Sequence, residues 1–421
     1  MSCLPAAGCS FIKSDVLTNS DKHSTLSFLI EGSTIPIYQR ILNVFCVALE
    51  EAGCAVTWLR PSEHKGYNEI MRFLSSKSFD YCLITNSFGI LSVYLDNIDR
   101  FVFEFFSSGL IFLHHDNIFS MYTDRGMIEK KVLAFQRVGS RGKHFCIEPY
   151  NVNDLKKAGI EDAYVFHHAS EFIPSEKPPK KYKSDVSFVG HVLPNDYDPG
   201  GGELVRNLLL SCFRARVESA DSKVEKYADI FATHAGKGID SSNAGIILKY
   251  WFISAIHTSS QQFRGEIISN IAGYRIDIVG GDPAYIHGKS TNKKINKKSL
   301  RYFPPIPDYN DVQYLYRSSR INLNITSLQF DDAVINRVVD VCASGGFVLT
   351  DSKSELNKLT TFSEEISYCN AGELNAKIEY YLAHENERIE IAREISEEIK
   401  RKCSYAGVVK QILESLYSED T

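Results

Sequence analysis

Short apolar strands alternate with amphipathic helical runs through most of the chain, and one segment breaks the alternation. Residues 172–184, FIPSEKPPKKYKS, hold three prolines and four lysines in thirteen positions and have no apolar periodicity. Such a stretch reads as a linker between folding units. Before it, 27–30, 55–59 and 81–85 read as strands, and 37–52 and 67–75 as helices. Strand–helix–strand order with this spacing predicts a parallel sheet with crossover helices. A helix over 98–108 and strands over 110–113, 144–147 and 163–167 extend the unit. Beyond the linker, strands at 186–189, 275–279, 301–303, 321–325 and 347–350 build a second unit. Helical patterns fill 203–270, 310–319, 373–383, 385–401 and 405–417. The expected organisation is an arm (1–24), a first domain (25–171), the linker, a second domain (185–400) and a final helix (401–421). Two open parallel sheets leave a cleft between them, and ligands bind at the carboxyl ends of the strands.

Length and composition fit this plan. A chain of 421 residues exceeds one ordinary core. Its 44% hydrophobic and 24% charged content is that of a soluble globular protein. A net charge of −5 argues against a general nucleic-acid binder and leaves room for a local basic pocket. None of the ten cysteines forms C-x-x-C, and most sit in apolar runs. Buried free thiols in a reducing cytoplasm explain them, and no zinc-ligand spacing is present. Leu4-Pro-Ala-Ala-Gly-Cys9 has the look of a lipoprotein box, but only eight residues precede the cysteine and they form no apolar h-region. No run of about 18 apolar residues exists, so no transmembrane helix is expected; peripheral membrane contact is left open.

The densest chemistry lies in Phe330–Asp351, FDDAVINRVVDVCASGGFVLTD. Asp332 and Asp340 stand eight residues apart, about two and a quarter helical turns. A helix-compatible run from Ala333 to Ala343 would carry the first acid at its N-terminus, where anions and phosphates are favoured. Asn336 and Arg337 lie between the acids, and Arg337 is placed to grip a diphosphate. The bland alternatives are an Arg337–Asp340 ion pair, a solvated Arg337, and an N-cap at Asp331 or Asp332. Gly345 and Gly346 suit a helix C-cap and also close backbone approach to a nucleotide. Gly190 and Gly280 end strands of the same unit, and Gly200–Gly202 resembles a phosphate loop without a G-x-G-x-x-G fingerprint.

In the first unit, Gly32, Ser33 and Thr34 form a small polar loop after the first strand, and a plain turn is its bland reading. His115 and Asp116 follow a strand end, where alternation lets at most one of His114 and His115 enter the cleft. His167-His168 ends another strand with less support. Asp196-Tyr197-Asp198 sits in a Pro/Gly-rich loop and reads as a turn, so no metal and no cofactor is expected.

Asp332-x7-Asp340 followed by Val-Cys-Ala-Ser-Gly-Gly resembles the Glu-x7-Glu motif of retaining GT-B glycosyltransferases. Asp185-Val-Ser-Phe-Val-Gly190, Arg320-Ile-Asn-Leu-Asn324 and Ile335-Asn336-Arg337 are similar to the spore-maturation (CgeB-like) branch, over roughly 185–416. The resemblance implies an α/β GT-B fold, two Rossmann-like parallel-sheet domains facing across a cleft. It implies a transferase that moves a sugar from a nucleotide-sugar donor to a hydroxyl acceptor, a glycan or lipid-linked glycan, with retention. Asp340 would bind the nucleotide ribose, Asp332 would lie beside the donor sugar, and His115 would reach the donor phosphate or sugar. Both acids are Asp where the family has Glu, one methylene shorter. A nucleotide-sugar epimerase and a non-catalytic binding protein of the same architecture are the alternatives.

Overall fold

A computed structural model describes residues 25–86, 89–96, 98–119, 124–173, 184–193, 197–237, 243–280 and 300–417. The arm, most of the linker and Asp196 lie outside the described residues.

The first sheet contains β1 (Ser27–Glu31), β2 (Ala55–Leu59), β3 (Tyr81–Thr85), β6 (Gly109–His114), β7 (Gly142–Cys146) and β8 (Ala163–Val165). Its order is β2-β1-β3-β6-β7-β8, parallel throughout. Helices α1 (Pro36–Glu51), α2 (Tyr67–Ser75), α3 (Arg125–Val138) and α4 (Pro149–Lys157) supply the crossovers. The second sheet contains β9 (Ser184–Val189), β10 (Ile276–Val279), β11 (Leu300–Phe303), β12 (Ser319–Asn324), β13 (Val348–Asp351) and β14 (Ser367–Tyr368). Its order, β11-β10-β9-β12-β13-β14, is again all parallel. Between β9 and β10 run α5 (Glu203–Glu218), α6 (Val224–Ala235), α7 (Ala244–His257) and α8 (Ser260–Ser269). Next come α9 (Tyr309–Ser318), α10 (Asn336–Ala343), α11 (Ala371–Ala383), α12 (Glu385–Lys402) and α13 (Tyr405–Tyr417).

The strand orders locate the ligand crevices. In the first sheet the chain reverses direction between β1 and β3, and in the second between β9 and β12. Crevices open at such switch points. The central strands are buried on both faces, with Phe28, Leu29 and Ile30 fully enclosed in β1 and Val186 and Phe188 in β9. That burial explains their mostly apolar sequences.

Two expectations are corrected. Residues 98–108 are not a helix: β4 (Tyr94–Leu95) and β5 (Arg100–Phe101) form a small antiparallel hairpin, followed by a single 3₁₀ turn at Val102–Phe105. Asp99 turns through a left-handed conformation, φ 51°, which breaks the helical path. The acid-pair helix starts at Asn336 rather than Ala333, so Asp332 lies in an extended loop ahead of it. The backbone N–H groups of Asp331, Asp332 and Ala333 donate instead to the Glu148 carboxylate at the start of α4, over 2.9–3.3 Å. An acceptor from the other sheet's unit outcompetes a first helical turn.

The two units meet along a polar seam. Tyr150 and Asn117 donate to the Gln329 carbonyl, Ser254 donates to the Phe119 carbonyl, and His167 pairs with Glu355 at 3.0 Å. Helix α13 packs on α1, and Gln411 donates to the Val165 carbonyl. No described helix is long and apolar enough to cross a membrane.

Candidate active site

The second unit presents its switch point as a cationic wall. Arg337, in the first turn of α10, donates to Asn324 Oδ1 at the end of β12, 2.8 Å away, and lies over the Phe188 ring. Gly190 ends β9 with φ 145°, and a Cβ there would stand 3.2 Å from Arg337 Nη2. Only glycine leaves that guanidinium its place. Arg264 of α8 donates to the Ile325 carbonyl just past β12. Burial, reinforced by the Arg337 charge, lowers its pKa to about 9. Among the described residues no carboxylate is hydrogen-bonded to either guanidinium, although Asp351 lies near enough to favour their charged forms, and two mutually repelling guanidinium groups are an arrangement that an anion relieves.

The first unit presents a carboxylate. Asp116, two residues past β6, accepts from Tyr38 of α1, from Asn86 past β3 (3.3 Å) and from Gln329 of the facing unit (3.0 Å). Its own N–H donates to Asn86 Oδ1. His257, the last residue of α7, lies between the walls. Its Nδ1 is 2.8 Å from Ser327 Oγ, and its ring senses both Asp116 and Arg264. Burial, with the Arg264 charge adding to it, lowers the His257 pKa and favours the neutral ring, while Asp116 pulls the other way.

The remaining expected residues fall in distinct places. His115 is buried beneath Tyr38 and stacks on His168 at 5.3 Å, with neither ring nitrogen hydrogen-bonded. Burial lowers its pKa to about 4, so it is neutral at pH 7. Gly32 and Ser33 lie at the first switch point, where Ser33 N–H donates to Gln39 Oε1 and Ser33 Oγ accepts from Ile35; Thr34 is exposed beside them. Asp332 directs its carboxylate to Lys223 at 2.7 Å and to the Ser354 hydroxyl. Asn336 is the first residue of α10. Gly280 follows β10, one strand away from the switch point. Gly345 and Gly346 close the far end of α10 from Arg337, with Gly345 N–H donating to Cys342 and Gly346 N–H to Val341. A Cβ on Gly346 would meet the Tyr316 carbonyl at 2.7 Å, so packing alone explains this glycine.

Asp340 is 1% exposed and accepts from Ser170 Oγ at 2.5 Å and from the Tyr309 hydroxyl. Burial raises its pKa to about 6, against the pull of Arg40. Its hydrogen bonds thus come from the α9 start and the segment after β8, not from Arg337.

Sequence reading did not single out Tyr38, Asn86, His257, Arg264 or Gln329. Each comes from a different element and none lies in a spaced motif. Only the strand-end position of Asn86 gave a usable signal.

Residues 261–414 match a family model described as glycosyl transferase-like. No curated protein matches the chain. Among solved structures, a sucrose-phosphate synthase from Thermosynechococcus elongatus aligns with TM-score 0.54 and 11% identity, covering 94% of this chain and 100% of its own. Anabaena HepE in complex with UDP and glucose aligns at 0.54 and 12%, covering 93% and 100%. A Rickettsia africae glycosyltransferase aligns at 0.54 and 10%, covering 94% and 100%. These likenesses establish the GT-B fold over nearly the whole chain. The family match includes Arg264, Arg337 and Asp340, and with the fold around it marks the chain as an enzyme of the glycosyltransferase type.

Proposed function

We propose that the chain transfers a sugar from a nucleoside-diphosphate donor to a hydroxyl acceptor across this cleft. The observation that carries the reading is the Arg264/Arg337 pair at the β9–β12 switch point, facing Asp116 on the opposite wall. The diphosphate would lie on the arginines and the Gly190 backbone, where positive charge stabilises the leaving group. Asp340 is the candidate ribose contact and Asn336 a polar neighbour of the phosphates. Asp116 would take the acceptor proton, with Tyr38, Asn86 and Gln329 fixing its carboxylate. His257, neutral and bonded to Ser327, would orient groups between the walls. His115 and the Gly32–Thr34 loop border the acceptor side. HepE, whose structure holds UDP and glucose, makes UDP the first nucleotide to test. The CgeB-like motifs suggest a cell-surface or spore-type glycan precursor as acceptor.

Arg264→Met and Arg337→Met are each expected to weaken nucleoside-diphosphate binding roughly tenfold to a hundredfold, the loss of one charge-assisted contact of about 1.5–3 kcal/mol. Calorimetric titration of UDP, GDP and ADP into both variants tests this. Wild-type affinity in both folded variants would remove the diphosphate from this wall.

Asp116 as base delivers the acceptor from the face opposite the leaving phosphate, which inverts the anomeric centre. The Asp332/Asp340 spacing supports a second reading, retention, with leaving group and acceptor on one face of the sugar. The ion pair of Asp332 with Lys223 makes inversion the expected outcome. The anomeric coupling of the first-formed product, read by NMR, separates the two. A retained product returns Asp332 to the donor side and demotes Asp116 to an acceptor-orienting group.

A further inference from the structure

Arg40 projects from the second turn of α1, in the first unit, onto the second unit's wall. Its guanidinium carbon lies 3.6 Å from the centroid of the Tyr309 ring, a face-on stack. Phe172 continues the stack, its ring 5.5 Å from that of Tyr309. One edge of the guanidinium is held by Glu171, with Nε donating at 2.6 Å and Nη2 at 2.9 Å. The remaining nitrogen, Nη1, is buried and has no hydrogen-bond partner among the described residues. A buried charged N–H without an acceptor is unfavourable in a folded protein, and a native structure keeps one where something else supplies the acceptor.

The surroundings say what kind of acceptor fits. The Tyr309 hydroxyl donates to Asp340, and Ser170 donates to the same carboxylate. Asp340 shares helix α10 with Arg337, one turn further along, so the stack adjoins the diphosphate wall. An aromatic face, a carboxylate for hydroxyls and an unsatisfied guanidinium nitrogen for an anionic oxygen are complementary to a nucleoside diphosphate.

We propose that Arg40 is a donor-binding residue contributed by the first unit: Nη1 takes an oxygen of the nucleoside diphosphate while Glu171 holds the rest of the fork. The proposal rests on the donor reading above and deepens it.

The test uses the full chain with Arg40→Met and Arg40→Lys, titrated calorimetrically with UDP, GDP and ADP. Arg40→Met is expected to raise Kd about tenfold or more, in line with the loss of one charged hydrogen bond. Arg40→Lys keeps the charge without the fork and is expected to fall between it and wild type. Should Arg40→Met fail to fold, Arg40→Lys carries the test alone. Wild-type affinity in the folded variants overturns the proposal, and tighter binding shows instead that Arg40 blocks the site. If wild type binds none of the three nucleotides, the donor reading itself fails and takes this proposal with it.

Discussion

Asp116→Asn is expected to lower kcat about a hundredfold to ten-thousandfold, the usual range for removing a positioned base, while nucleoside-diphosphate affinity stays unchanged. The asymmetry follows from the site's construction. The arginines that would hold the diphosphate belong to the second unit, whereas Asp116 is fixed by Tyr38 and Asn86 of its own unit and is hydrogen-bonded to the other through Gln329. Asn is nearly isosteric, so the network can re-form by turning the amide, and what is lost is basicity. Measuring kcat at saturating donor and acceptor, with Kd for the nucleotide alongside, separates the two effects. A variant that keeps its turnover places proton transfer on another group, with His257 next in line by position.

The parallel sheets were legible because strands covered on both faces leave short, mostly apolar runs, while the crossover helices keep their amphipathic period. Residues 27–30, 81–85 and 186–189 show this well, and each is a central strand of its sheet. The failure at 98–108 has the converse cause. Phe101, Val102 and Phe103 form a buried apolar cluster, but a hairpin and a 3₁₀ turn bury it. Short apolar clusters do not distinguish those outcomes.

The site was legible only where it is local. Arg337, Gly190 and Asp116 sit at strand ends or a helix start, and sequence position alone marks such places. Arg264 and His257 come from the middle of a long helical insertion, where composition gives a lone Arg or His no distinction from a solvated or core residue. The register of the acid pair depended on Glu148, 184 residues away from Asp332, which captures the amides of Asp331–Ala333. No local propensity reports an acceptor brought in by the other unit. The Asp340 environment was hidden for the same reason, since Ser170 and Tyr309 approach it from separate segments.

Glu148→Ala is expected to destabilise the protein by about 3 kcal/mol or more, because three backbone N–H groups lose their acceptor at a buried seam and each unsatisfied group costs about 1–3 kcal/mol. Glu148 is fully buried, and its neighbours are Asp331, Asp332, Tyr150 and Cys146. Burial, then the Asp331 charge, raises its pKa to about 8, although the amides of Ala333 and Asp332 oppose the shift. A carboxyl group raised in this way binds its proton more tightly folded than unfolded. The stability it contributes is complete below the ordinary carboxylate range and is lost as pH rises through about 8. Asp340, raised to about 6, and Glu31, raised to about 7, slope the same way. The lowered Asp332 acts only at more acid pH, where its stabilisation fades as the pH falls. Between about pH 6.5 and pH 8, above the range in which histidines that burial holds neutral (His115, His144 and His257) slope the other way, wild-type unfolding free energy should therefore decline. Glu148→Gln, which keeps one acceptor oxygen and cannot ionise, should lose the part of that decline that runs up to about pH 8. Urea unfolding at pH 5, 7 and 9 measures both variants. If Glu148→Gln follows the wild-type slope throughout, the seam is not held by this carboxylate, and the extended path of Asp331–Ala333 must come from the Asp331 side chain, which accepts from the backbone of Val224 and Glu225.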